Sequence, residues 1–398
     1  MTDIANDSHA KNPRKIVILG ATGSIGTSAL EVIRKHPDAL QLVGASANSQ
    51  ISKLSEIQKE FSLKHIGLSS GSADELSSLC DGSPELHMGE SGLIDLATLA
   101  EADMVLVALV GTAGLEPSLA AIRAKKTIAL ANKEVLVMAG KFVMEAARQN
   151  DVQILPVDSE HNALFQCLAA TDNPQEDVAS LVLTASGGAF RDRPLEELSD
   201  VTVAEALKHP NWDMGPKVTL DSATMANKGL EVIEAHWLYG FSADQIEVTI
   251  HTESIVHSLV TFKDGSIIAQ MCPPSMTFPI QHCLLYPQRK DSVLPTLDFK
   301  QAFNLNFRPV DFNRYPCLAL AFDALRQGGI GPTVFNAANE VAVEAFVAGQ
   351  IAFLEIPTVI QRTMAAIKPQ DPSSLDDVLN ADRAAREIAT SYTPAHTC

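Results

Sequence analysis

Asp158-Ser159-Glu160 closes the apolar run Val152-Gln-Ile-Leu-Pro-Val157, and further along Lys228 and Glu231 stand three residues apart. If the run is a strand continued through Glu160, side chains two apart leave the same face, so both acids address one point. In the segment from His209 to Glu231, Ser222 reads as a helix N-cap, with the helix running from Ala223 to Leu238. On it Lys228 and Glu231 share a face, with Asn227 beside them. Asp158, Glu160 and Glu231 then make an all-oxygen donor set suited to Mg²⁺ or Mn²⁺. Taken singly, acids at a strand end are usually solvated, and a Lys–Glu pair at this spacing usually lies on a helix surface. The neighbouring stretch shifts the balance. Trp212 and Met214 sit among Pro210, Gly215 and Pro216, in a loop suited to closing over a polar site from 209 to 216.

A second constellation lies near the start. Lys15-Ile-Val-Ile-Leu19 has the pattern of a buried strand and runs into Gly20-Ala-Thr-Gly23-Ser-Ile-Gly26, a variant of the dinucleotide fingerprint. Glycines there let the backbone approach a pyrophosphate, and the following helix N-terminus favours the anion. No acid occurs between Gln41 and Lys53, which permits a 2′-phosphate on the ribose. Ser186-Gly-Gly188, after another apolar run, can aim backbone amides at an anion, and Ser222 at a helix start can do the same. Lys228 adds a point charge.

That charge matters in a chain of 398 residues with a formal net charge of −18, whose global field repels anions. The same balance excludes nucleic acid and anionic membrane surfaces as expected partners. The length suggests two or three domains, and the hydrophobic fraction of 46% is that of a soluble globular protein. No apolar run is long enough to span a bilayer. The first residues are polar and include Asp3 and Asp7, so a frayed tail is expected rather than a targeting segment. Six cysteines without Cys-x-x-Cys spacing read as reduced thiols of a cytoplasmic protein.

Positioning these residues requires an α/β chain. Strand patterns at 15–20, 40–45, 103–110 and 127–131 alternate with helical ones at 24–34 and 116–124, which implies a Rossmann-like domain with a parallel sheet, ending near residue 157. Strands at 179–184, 245–250, 256–262 and 266–270 then imply an α+β catalytic and metal-binding domain over 158–286, its last two strands joined at Lys263-Asp-Gly265. Residues 287–315 read as a linker, and 316–398 as a helical domain broken at Gly328-Gly-Ile-Gly-Pro332. Of the histidines, 161, 236, 251 and 282 read as structural, and Phe262, Phe278 and Trp237 as core.

Along nearly its whole length the chain resembles the 1-deoxy-D-xylulose 5-phosphate reductoisomerases. The resemblance is carried by Gly20 to Gly26, Ala131-Asn-Lys-Glu-Val135, Pro156-Val-Asp-Ser-Glu-His-Asn162, Thr184-Ala-Ser-Gly-Gly188, His209 to Glu231 and Asn336-Ala-Ala-Asn-Glu340. It implies a metal-dependent, NADPH-linked rearrangement and reduction of a sugar phosphate, in a homodimer. It assigns Thr22, Gly23, Ser24, Ile25, Asn48, Asn132, Glu134 and Gly215 to the cofactor, with Met214 toward the nicotinamide. It places Asp158, Glu160 and Glu231 on a divalent cation (Mg²⁺, Mn²⁺ or Co²⁺), and Lys133 and Ser159 at the substrate's polar end. Ser186, Ser222, Asn227 and Lys228 would hold the phosphate, with His209 nearby, Trp212 over the substrate and His257 near the site. Where the family carries glycine and a basic residue before Asn48, this chain has Ser46 and Ala47; the resemblance places these two at the cofactor as well, so a weakened preference for NADPH over NADH is expected. Two rival readings are a semialdehyde dehydrogenase, which needs an activated cysteine, and a non-catalytic NADPH sensor, which needs no three-carboxylate site.

Overall fold

A computed structural model describes residues 12–211 and 215–393. Seven strands form one all-parallel sheet: β1 Arg14–Leu19, β2 Leu40–Ala47, β3 His65–Leu68, β4 Glu85–Met88, β5 Met104–Val107, β6 Thr127–Leu130 and β7 Ile154–Pro156. Their spatial order is β4-β3-β2-β1-β5-β6-β7. Short strands rich in Val, Ile and Leu need apolar cover on both faces, and two separate clusters of buried side chains supply it. The order reverses between β1 and β5, and ligands of open α/β sheets bind at such a switch point. The glycine turn leaves β1 there and enters the helix Ser24–Lys35.

The second sheet has the order β11-β10-β8-β9-β12, built from β8 Val178–Ala185, β9 Ile246–Ile250, β10 Val256–Phe262, β11 Ile267–Met271 and β12 Arg308–Pro309. Only β8 and β9 run parallel; β10 and β11 form the hairpin expected at Lys263-Asp-Gly265. The segment 287–315 contributes β12, paired with β9, where the sequence shows no periodicity. Helices at Ala226–Tyr239, Pro316–Gln327 and Gly331–Val347 bury a common core against this sheet. Trp237 bridges it to the first sheet: its ring lies where a Cβ on Gly140 would sit, 2.4 Å from the nearest ring atoms.

Three local expectations are corrected. β7 stops at Pro156, and Ser159–Leu168 is a helix with Asp158 at its N-cap, so Asp158 and Glu160 converge from a first helical turn rather than a strand face. Ser222 does not cap a helix. It lies inside the helix Pro216–Thr224, and Met225, left-handed at φ 58°, separates that helix from Ala226–Tyr239. The first-turn amides available to an anion therefore belong to Asn227 and Lys228, since that of Ala226 donates to Thr224 Oγ1. Ser46 and Ala47 continue β2, paired with Gly67 and Leu68 of β3, and neither has exposed surface. They present no surface to a cofactor, and Ser46 Oγ instead accepts from the Gly20 amide at 3.2 Å and braces the glycine turn.

Candidate active site

Strand ends and helix starts deliver five charged groups to one point. Lys133 Nζ, at the N-terminus of the helix Glu134–Asn150, lies 2.5 Å from Asp158 Oδ2 and 3.3 Å from Glu231 Oε1, and donates to Asn227 Oδ1 at 3.0 Å. Lys228 Nζ donates to Glu160 Oε1 at 2.8 Å and pairs with Glu231 Oε2. Asn227 Nδ2 donates to Glu231 Oε1 at 2.5 Å, and Ser159 Oγ to Glu160 Oε2 at 2.5 Å. One oxygen from each of Asp158, Glu160 and Glu231 falls within 4.8 Å of the others.

Burial on this scale forces the charges to organise one another. For Glu231 burial raises the carboxyl, Glu160 adds to it, and the two lysines offset only part, leaving it at about 7. Burial also opposes the Glu160 carboxylate, but the charge and hydrogen bond of Lys228, with Ser159, bring it down to about 2. Burial works against the Lys228 and Lys133 ammonium groups too, yet the facing carboxylates raise both. Positive charge thus already sits among three clustered carboxylates, and an all-oxygen set of this spacing fits a small divalent cation.

The same cavity, of about 420 Å³, is lined by Ser24 and Ile25 of the glycine turn and by Lys133, Asp158, Ser159, Glu160, Ser186, His209, Gly215, Ser222, Asn227, Lys228, Glu231 and His257. Gly187 and Gly188 have φ of +83° and +71°, and a Cβ on Gly188 would meet Ser222 O at 2.3 Å. Only glycine there lets the β8 end pack on the 216–224 helix, which brings Ser186 and Ser222 to one wall. His209 Nδ1 accepts from the Asn211 amide at 3.1 Å, so Nε2 carries the proton and donates to Ser186 Oγ at 2.9 Å. Burial, with Arg191 nearby, lowers His209 to about 4 and keeps it neutral.

The glycine turn fits a dinucleotide. Gly20 and Gly26 are demanded by the chain itself, since a Cβ would meet backbone at 2.4 Å, whereas Gly23 has φ −80° and meets nothing nearer than 3.5 Å. Gly23, exposed and without a Cβ, keeps this backbone open to the close approach that a pyrophosphate needs. Thr22, inside this turn, and Asn48, just past the end of β2, do not line the cavity. The Asn132 side chain is turned inward to Leu109 O and Gly111 O, and Glu134 pairs with Lys217. Trp212 and Met214 lie outside the described residues. Sequence reasoning did not find Asn211 and Ser254, which also line the cavity, Asn211 Nδ2 donating to Ser254 Oγ at 3.0 Å. Nor did it find Met276. Ser254, left-handed at φ 53°, sits in a short connection between β9 and β10 with no motif around it.

A switch-point nucleotide turn and a carboxylate cluster opening on one cavity define a metal-assisted, dinucleotide-dependent enzyme. Residues 16–140 match the family described as 1-deoxy-D-xylulose 5-phosphate reductoisomerase, residues 154–239 its C-terminal domain, and residues 271–388 the DXP reductoisomerase C-terminal domain. The chain is 50% identical over 380 residues to the 1-deoxy-D-xylulose 5-phosphate reductoisomerase of Geobacillus kaustophilus, covering 94% of this chain and 98% of the relative. The enzyme of Zymomonas mobilis, solved in complex with NADPH, superposes with a TM-score of 0.90 at 40% identity, over 96% of this chain and 99% of that one. A DOX-P reductoisomerase solved with NADPH, fosmidomycin and magnesium superposes at 0.89 with 41% identity, over 95% and 98%. The chain belongs to the 1-deoxy-D-xylulose 5-phosphate reductoisomerase family.

Proposed function

We propose that this chain converts 1-deoxy-D-xylulose 5-phosphate into 2-C-methyl-D-erythritol 4-phosphate with NADPH and a divalent cation. The observation that carries the reading is the single cavity onto which Ser24 and Ile25 of the nucleotide turn and the Asp158–Glu160–Glu231 cluster both open. Asp158, Glu160 and Glu231 would hold the cation, which supplies Lewis-acid polarisation of neighbouring substrate oxygens, while NADPH supplies hydride. The chain's own groups position the rest. Ser186, Ser222, Asn227 and Lys228 face the phosphate, and neutral His209 orients the Ser186 hydroxyl through its Nε2–H. Lys133 and Ser159 fix the carboxylates and meet the substrate's polar end. The test is NADPH oxidation dependent on both the deoxyxylulose phosphate and Mg²⁺, with NADH and excess chelator run beside it; oxidation without added metal, or none with it, overturns the reading.

The dehydrogenase alternative needs a reactive thiol. Burial instead raises Cys167 to about 11 and Cys317 to about 12, and pushes Cys283 further still. The homodimer and a cytoplasmic location belong to the same proposal. Strand β11, outermost in its sheet, exposes Ile267 and Ile268, a surface suited to a second copy. No helix among the described residues is long and apolar enough to cross a membrane.

The corrected end of β2 moves the reading of the ribose 2′-phosphate to Asn48, Ser49 and Gln50, all exposed and none charged. Ser49→Arg should tighten NADPH by about tenfold through a charge-assisted contact. The dissociation constant for NADH should stay within about twofold, both read from nicotinamide fluorescence. Equal tightening of both cofactors would show that position 49 does not face the 2′-phosphate.

A further inference from the structure

We propose that His65, Glu85 and His87 form a second metal site, for a zinc-class divalent ion, at the outer edge of the seven-stranded sheet. None of the three lines the catalytic cavity. His65 and Glu85 begin β3 and β4, at the opposite end of the parallel strands from the glycine turn that follows β1. His65 stands beside Glu85 in the register of the two strands, and alternation along β4 puts His87 on the face of Glu85.

His65 Nδ1 lies 3.3 Å from His87 Nε2 and 3.4 Å from Glu85 Oε2, and one ligand atom from each of the three falls within 4.8 Å of the others. A tetrahedral ion with zinc–nitrogen bonds of about 2.0–2.1 Å holds its ligand atoms roughly 3.4 Å apart. Behind each imidazole stands a carboxylate. Glu101 Oε1 is 3.8 Å from His65 Nε2, and Asp95 Oδ2 is 3.9 Å from His87 Nδ1. At these distances they are charged neighbours rather than hydrogen-bond acceptors, and a small side-chain rotation would let each take the far N–H and leave the near lone pair for the metal. Glu101 is itself held by Lys15, 3.1 Å from its other oxygen.

A hydrogen bond between the two rings would account for the first distance. It does not account for a carboxylate converging on the same His65 nitrogen, nor for a carboxylate behind each ring. Two imidazoles and one carboxylate select zinc, nickel or copper, whereas the all-oxygen catalytic set selects magnesium or manganese, so the two sites differ in the ion they prefer. Bound there, the ion ties β4, the outermost strand, to β3.

The experiment uses Glu231→Gln full-length protein, whose catalytic cluster has lost its central carboxylate and so no longer competes for the probe, which is Zn²⁺ followed by equilibrium dialysis and thermal melting. One equivalent should bind with sub-micromolar affinity and raise the melting temperature by a few degrees. Adding His65→Gln and His87→Gln should abolish both effects. In the otherwise wild-type chain the same pair should leave Mg²⁺-supported turnover unchanged. Co²⁺ in place of Zn²⁺ should give the intense visible bands of a tetrahedral site, lost in the same variants. If the double variant does not fold, His65→Asn alone, at a partly exposed position, should lose the equivalent. Weak, non-stoichiometric binding, or one equivalent that survives loss of the histidines, overturns the proposal.

Discussion

Replacing Glu231 with glutamine is expected to lower kcat by at least about 10³-fold, the loss of some 4 kcal/mol of charge stabilisation in the transition state, while NADPH remains bound. Glu231 is 1% exposed and is the hub of the cluster, bonded to Lys133, Asn227 and Lys228 at once. Glutamine keeps its shape and removes its charge. The metal-free fold should tolerate this, because burial and the neighbouring Glu160 already raise the Glu231 carboxyl and oppose its charge. The melting temperature without metal should move little, whereas the increment that Mg²⁺ adds to the wild type should disappear. Steady-state rates, NADPH fluorescence titration and melting with and without Mg²⁺ measure the three quantities. Wild-type kcat, or an undiminished Mg²⁺ increment, would remove Glu231 from the metal site.

Residue types and order were legible in the sequence where chemistry constrains them, and local geometry was not. Asp158 and Glu160 were paired correctly as acids that meet, but on the wrong element. Asp158 just before the helix and Glu160 in its first turn are themselves a helix-start signature, masked by the apolar run before them. The break at Met225 has no composition signal, since a left-handed non-glycine residue is imposed by packing around it rather than by its own preference. That break displaced the expected helix start by three residues. Ser46 and Ala47 were misplaced for a tertiary reason: β2 runs two residues beyond Ala45 because β3 pairs with it there, and β3 is too short to announce itself. Asn211 and Ser254 meet across 43 positions of sequence through one hydrogen bond, a contact no local pattern encodes.

Lys228→Met separates two roles that the sequence merges. Read from the sequence, Lys228 is the phosphate's counter-charge, and its loss raises the substrate KM by roughly tenfold to a hundredfold, as removal of a charge-assisted contact worth about 1.5–3 kcal/mol does. In the folded chain its ammonium lies 2.8 Å from Glu160 and also pairs with Glu231, and the side chain is 4% exposed. Methionine preserves the buried stem and deletes the charge, leaving two buried carboxylates facing each other, a loss of roughly 3–5 kcal/mol for the metal-free protein. The same deletion removes a competitor for those carboxylates, so Mg²⁺ should bind more tightly than in the wild type and restore most of the lost stability. The expected signature is therefore a raised substrate KM, a lowered Mg²⁺ dissociation constant and a melting temperature that falls without metal and recovers with it. A raised KM with no change in metal affinity or metal-free stability would make Lys228 a phosphate ligand only. The reverse pattern, with KM unchanged, would make it a spacer between carboxylates and shift the phosphate's binding onto the neutral wall of Ser186, Ser222 and Asn227.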